Sequence, residues 1–213
     1  MPKSPAQSEK LWKEIGRVVL YWNDLELRLR RILHLLSNDW FSVALLTADM
    51  QSVTLIQTVR IFAAEHDVDS GKPNKLLDLT RDKVGHNLAP KESIFKHVKH
   101  VCDCADRLRA HRNLYAHCVT SPTKDVPRYT VSGWTTRNRG RLAQYDVPLN
   151  LGEMRKIAKL MTQAISYAER VENCIRQSQD SNRKTPVKWP KQIDLPDQLE
   201  KLHTTINETL SLF

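Results

Sequence analysis

The sequence predicts an all-α fold: a bundle of four long helices, with a small irregular hairpin inserted between helices three and four and a helical tail at the C-terminal end. Three observations predict it. Apolar residues recur at steps of three and four over four long stretches, which marks helices with one buried face. Glycine is scarce, with 6 in 213 residues, too few for a fold rich in loops or strands. Helices joined by loops, each apolar on one side, must pack together to cover those sides. The hydrophobic fraction of 40% is enough for a sizeable core.

The first helix starts at Ser4 and Pro5, a capping residue followed by proline at the first helical position. Its stripe is Leu11, Ile15, Val18, Trp22, Leu25, Leu29, Ile32, Leu33 and Leu36, and Asn38 and Asp39 stop it. The second helix is expected over 40–66, with Leu46, Met50, Val53, Ile56 and Val59 facing inward. A polar stretch follows over 67–89, with Gly71, Pro73, Gly85 and Asn87 as breakers and room for a short helix at 75–83. Pro90 opens the third helix, whose stripe runs Ile94, Val98, Val101, Ala105, Leu108, Tyr115, Val119 until Pro122 ends it. The hairpin is read from Tyr129 and Val131 against Leu142 and Tyr145, with Gly133 and Gly140 between. The fourth helix begins near Gly152 with the cleanest stripe of all: Met154, Ile157, Ala158, Met161, Ala164, Ile165, Ala168, Val171, Ile175. Trp22, Val98, Leu108, Met161 and Ile165 are the expected core. The organisation is one helical domain over 5–177, then a basic linker from Ser178 and a short amphipathic segment carrying Leu199, Leu202, Ile206 and Leu210.

Several function classes are disfavoured. No apolar run approaches the roughly 18 residues of a membrane helix, and the first ten residues lack an apolar signal core, so a soluble, cytoplasmic protein is expected. Four cysteines in this length do not make a disulfide framework, and Cys102 and Cys104 have no second close pair to complete a zinc site. They are expected to be reduced, buried thiols, and no metal or other cofactor is expected. No Gly-rich phosphate loop, Ser–His–Asp pattern or Cys–His nucleophile pair stands out. The net charge of +9 favours a polyanionic partner. His97, His100 and His111 come without an acidic ligand set and read as surface residues, while Asp103 and Asp106 beside Arg107 and Arg109 read as ion pairs along a helix face.

Arg112 is the residue out of place. The third stripe skips a position between Leu108 and Tyr115, and Arg112 falls there. A buried guanidinium needs a partner. Glu26, four after Trp22 and three before Leu29, is on the apolar side of the first helix and could supply one. A structural ion pair at the edge of the bundle, or an arginine snorkelling to solvent, would account for this. The neighbourhood holds more. Asn113 and His117 are four apart and share a helical face, while Arg112 and His117 are five apart, about 140° around the helix. Arg112 must therefore curl toward His117, or a second subunit must complete the site.

The run from Arg112 and Asn113 to Ala116 and His117 resembles the arginine–histidine motif of the HEPN superfamily, all-α domains of many RNA-cleaving toxins and defence proteins. The bare spacing also occurs at Arg28 with His34, Arg60 with His66 and Arg81 with His86, but only the Arg112 instance combines the Asn, the Ala-His ending and a long third helix. The resemblance spans 8–177 in layout. It implies a metal-independent endoribonuclease: His117 as general base or acid, Arg112 on the phosphate and its developing charge, Asn113 orienting the His or the phosphate, and Glu26 fixing the Arg112 fork. Tyr115 and the hairpin cluster Arg137, Arg139 and Arg141 are the expected substrate contacts, although a solvated basic loop explains the cluster equally well. It further implies RNA as partner, a homodimer that brings two motifs together with the third helices near its axis, and use in toxin–antitoxin or antiphage systems with an antitoxin protein as a further partner. The alternative is a non-catalytic HEPN-like module that binds RNA, a nucleotide or a partner protein, since fold alone does not separate the two.

Overall fold

A computed structural model describes the backbone of residues 5–37, 40–66, 94–117, 119–122, 129–137, 141–149, 151–180 and 187–194, and the side chains of 9–37, 41–65, 94–116, 151–180 and 187–194. The framework is all-α. Its helices are α1 (Pro5–Ser37), α2 (Trp40–Thr47), α3 (Ser52–His66), α4 (Ile94–His117) and α5 (Leu151–Ser178), and an antiparallel insertion, β1 (Val119–Pro122), β2 (Tyr129–Arg137) and β3 (Arg141–Leu149), separates α4 from α5. None of the described helices is long and apolar enough to cross a membrane. The predicted short helix at 75–83 and the C-terminal amphipathic segment at 199–210 lie outside the described residues.

The first helix is as the periodicity predicts. It begins at Pro5, and all nine residues of its stripe are buried. Trp22, Val98, Leu108 and Met161 are also fully buried, but Ile165 is only half-buried. Two corrections concern helix ends. The expected helix over 40–66 is two helices. Thr47 Oγ1 turns back to donate to the Val43 carbonyl at 2.7 Å, and the Thr47 carbonyl accepts from Met50 N at 3.3 Å and from Arg30 Nε at 3.4 Å. A side chain and a turn thus satisfy the last carbonyls of α2, and α3 restarts with Leu55 N bonding the Gln51 carbonyl. Of the expected stripe, Ile56 and Val59 are buried and Met50 half-buried, whereas Leu46 is 69% exposed and Val53 is exposed; Val43, Leu55 and Ala63 complete the buried face.

The second correction is at the end of α4, which stops at His117 rather than Pro122. Val119 and Thr120, β-branched residues that favour strands, begin β1, and Pro122, with no N–H to give, sits on the edge strand where none is required. The irregular hairpin is accordingly a three-stranded meander in the order β1-β2-β3, with Val119 paired to Ser132, Tyr129 to Leu149 and Arg137 to Arg141.

The chain forms two compact units: 1–25, 104–165 and 194–213 in the first, 26–103 and 166–193 in the second. In the first unit α1 and α5 are joined by Arg155 Nε to Glu14 Oε1 at 3.2 Å. In the second, Arg28 reaches Glu169 and Glu172, each at 3.1 Å, and Gln179 Nε2 donates to the Leu35 carbonyl at 2.7 Å. Those two contacts advance together along both helices, so α1 and α5 run parallel in the second unit. The segment expected to be the latter part of a polar linker packs there too: Trp189 is buried, Gln192 Nε2 donates to the Lys96 carbonyl, and Cys174 Sγ donates to the Lys188 carbonyl.

Candidate functional site

The residues of the predicted motif lie on the last turns of α4, in the first unit. Buried residues follow the order Leu108, His111, Tyr115, steps of three and four that complete the stripe. The position skipped in the sequence pattern is filled by His111, which is fully buried, and not by Arg112. Arg112 is consequently half-buried at the margin of the stripe, where a guanidinium can keep part of its hydration. Its Nη1 donates to Asn113 Oδ1 at 3.1 Å, so the neighbouring amide fixes one arm of the fork. His117 is the last residue of α4, one turn after Asn113, with β1 starting two residues further on. The His117 side chain lies outside the described residues.

Tyr115, expected to meet substrate, belongs to the core instead and is 7% exposed. Burial, and secondarily the negative charge of Glu153, push its ionisation well above the ordinary 10.0. The phenol therefore stays neutral through the physiological range and serves packing rather than acid–base chemistry. A tyrosine with a raised folded-state pKa contributes stability that is complete below its unfolded pKa and lost as pH rises through the folded one. Urea unfolding should accordingly give a stability that starts to fall above about pH 10, the unperturbed tyrosine value, and Tyr115→Phe should flatten that fall. An unchanged alkaline slope in the variant would remove Tyr115 as its cause.

Glu26 belongs to the second unit. Its carboxylate accepts a hydrogen bond from Ser52 Oγ and pairs with Arg30 at 3.8 Å. Glu26 thereby ties α1 to the start of α3. Of the hairpin arginines, Arg137 closes β2 and Arg141 opens β3, and the register sets the two opposite each other. Arg139, between them in the sequence, lies outside the described residues.

Of the three histidines expected at the surface, His97 and His111 are buried and His100 is half-buried. His97 is buried in the second unit, its Nδ1 2.8 Å from the Tyr167 hydroxyl and its ring stacked on Trp189 at 4.8 Å and 9°. His100 meets Tyr167 edge-on at 5.2 Å, and its Nε2 donates to the Ile193 carbonyl at 3.0 Å. This aromatic cluster fastens the 187–194 segment to α4 and α5. One signal for it was present in the sequence: a tryptophan and a proline at 189–190 within an otherwise polar stretch. His111 had none, because a histidine at a stripe position reads the same whether its ring is satisfied in the core or not. Cys102, Cys104 and Cys174 are buried thiols, and no group of three His, Cys, Asp or Glu side chains among the described residues is placed to hold a metal ion. Comparison with family models, curated proteins and solved structures finds no match to this chain.

Proposed function

We propose that the chain is a HEPN-like, metal-independent endoribonuclease acting through Arg112 and His117. One observation carries the reading: the Arg112 guanidinium is bonded to Asn113 at 3.1 Å on an unbroken helix that ends at His117. A cation fixed by its neighbour and a histidine one turn further along are the parts that cleavage by an internal nucleophile requires. The 2′-hydroxyl of RNA attacks the adjacent phosphorus, its proton passes to a base, and the 5′-oxygen of the next nucleotide leaves with a proton from an acid. The products are a 2′,3′-cyclic phosphate and a 5′-hydroxyl. His117 supplies the base or the acid, because an imidazole titrates near neutrality. Arg112 faces the charge that develops on the non-bridging oxygens, and Asn113 holds its fork.

Since Arg112 and His117 are about 140° apart around α4, the two roles come together through a long arginine side chain or through a second copy. A two-fold homodimer with the α4 helices near the axis supplies the second copy. Light scattering at micromolar concentration should report a dimer, and a monomer would leave the site to one chain. The net charge of +9 fits an RNA substrate. Toxin or antiphage use, with an antitoxin protein as partner, follows from the resemblance. The test is direct: purified protein in excess chelator should cut single-stranded RNA and leave cyclic phosphate ends, whereas DNA, which has no 2′-hydroxyl, should resist. A protein that binds RNA and never cuts it is the non-catalytic module instead.

A further inference from the structure

Charge on α1 and α5 is arranged in two unlike clusters. In the second unit the buried Glu172 accepts from Arg28 at 3.1 Å and Arg176 at 2.7 Å, and Glu169 takes a second nitrogen of Arg28. Two guanidiniums there meet two carboxylates. In the first unit the buried Glu14 also holds two guanidiniums, Arg17 at 3.0 Å and Arg155 at 3.2 Å, and no second carboxylate joins them among the described residues. The Glu14 side chain is 7% exposed, those of Arg17 and Arg155 41% and 60%. Two half-open cations are thus anchored from below by one buried anion. Arg155 commits only Nε to Glu14, which leaves its two outer nitrogens for a planar anion.

Lysines extend the cluster. Lys10 lies one turn before Glu14 on α1, and Lys159 one turn after Arg155 on α5; Lys13 and Lys156 are beside them. All four are exposed, and none has a hydrogen bond or ion pair among the described residues. The acids nearby in sequence are Glu9 and the half-buried Glu153. A merely solvated helix face intersperses its signs, as α4 does with Lys99 on Asp103 and Arg109 on Asp106. Here six cations gather on two ion-paired helices against three carboxylates, Glu9, Glu14 and Glu153.

We propose that this face of α1 and α5 binds the phosphodiester backbone of single-stranded RNA, with Arg17 and Arg155 as fixed phosphate contacts and Lys10, Lys13, Lys156 and Lys159 flanking them. That the polyanion is RNA rests on the ribonuclease reading; the location of the surface does not. The surface positions the chain, because phosphate contacts carry affinity without sequence preference. The test uses the full chain carrying His117→Ala, so that substrate is not consumed, and follows the anisotropy of a labelled single-stranded RNA across a series of salt concentrations. Replacing the four lysines by glutamine should make the plot of log affinity against log salt shallower by about 3, since each phosphate contact on a single strand contributes roughly 0.7. A control removes the same charge from the second unit through Arg31→Gln, Arg170→Gln, Lys188→Gln and Lys191→Gln, all exposed positions, and should leave the slope unchanged. Equal slopes for the two variants, or a parent that does not bind RNA, would overturn the proposal. Failure of the ribonuclease reading looks different: RNA held through this face and never cut by the protein with His117 intact.

Discussion

Replacing His117 by alanine should lower the rate of RNA cleavage by about a hundred- to ten-thousand-fold, the usual effect of removing a positioned acid–base group, with little change in stability. Arg112→Lys is the sharper companion. It keeps the charge and loses the planar fork that Asn113 orients, so cleavage should fall while RNA binding and its salt dependence persist. Glu26 keeps Arg30 and Ser52 as partners whatever occupies position 112, so Arg112→Ala should inactivate without stranding a buried carboxylate. His86→Ala tests the motif assignment from within: it belongs to the competing Arg81 spacing and should leave the rate unaltered. Equal rates for the parent and His117→Ala would end the enzymatic reading and leave a binding module.

The parts of the fold that were legible in the sequence are those where one physical pattern ran without interruption. The stripe from Leu11 to Leu36 is buried throughout because 33 residues of continuous helix preserve one phase. Continuity was lost at Thr47. Residues 40–66 read equally well as one helix, and only the tertiary contact from Arg30 to the Thr47 carbonyl, with the local Thr47–Val43 bond, shows where the chain turns. Val119 was lost for a related reason, since a β-branched residue at a stripe position fits the end of a helix or the start of a strand, and neighbouring strands decide.

The site was legible as residue types and less so as geometry. Spacing alone placed Arg112 on the apolar stripe, yet the helix is turned so that His111 fills the core and Arg112 stands at its margin. The adjacent amide of Asn113 holds one arm of Arg112, a contact that helical spacing does not suggest. A pattern counts residues along one helix; it does not report which of two neighbours points inward, nor that Ser52 and Arg30 compete for Glu26. The buried Glu14 and Glu172 were invisible for the same reason, because a glutamate on a helix reads as solvated until cross-helix arginines are seen to hold it.

Trp22→Ala should cost about 3–5 kcal/mol, as large-to-small changes at fully buried aromatic positions do, and should lower the melting temperature by on the order of 10 °C for a chain of this size. Trp22 is fully buried on α1 in the first unit, between Val18 and Leu25 of the same stripe. Its indole Nε1 is also buried and finds no hydrogen-bond partner among the described residues. A buried donor with no partner among the described residues costs about 1–3 kcal/mol. Two opposed terms therefore act at one side chain, a large gain from apolar burial and a smaller loss from the stranded N–H. Trp22→Phe separates them, since it keeps most of the buried ring and deletes the donor. The loss of volume and the relief of the unsatisfied group should nearly cancel, leaving a change below about 1.5 kcal/mol. Urea denaturation of both variants measures the two terms. If phenylalanine proves as costly as alanine, the indole N–H has a partner that stabilises it; if alanine costs less than about 1 kcal/mol, Trp22 is not at the centre of the packing that holds α1 in the first unit.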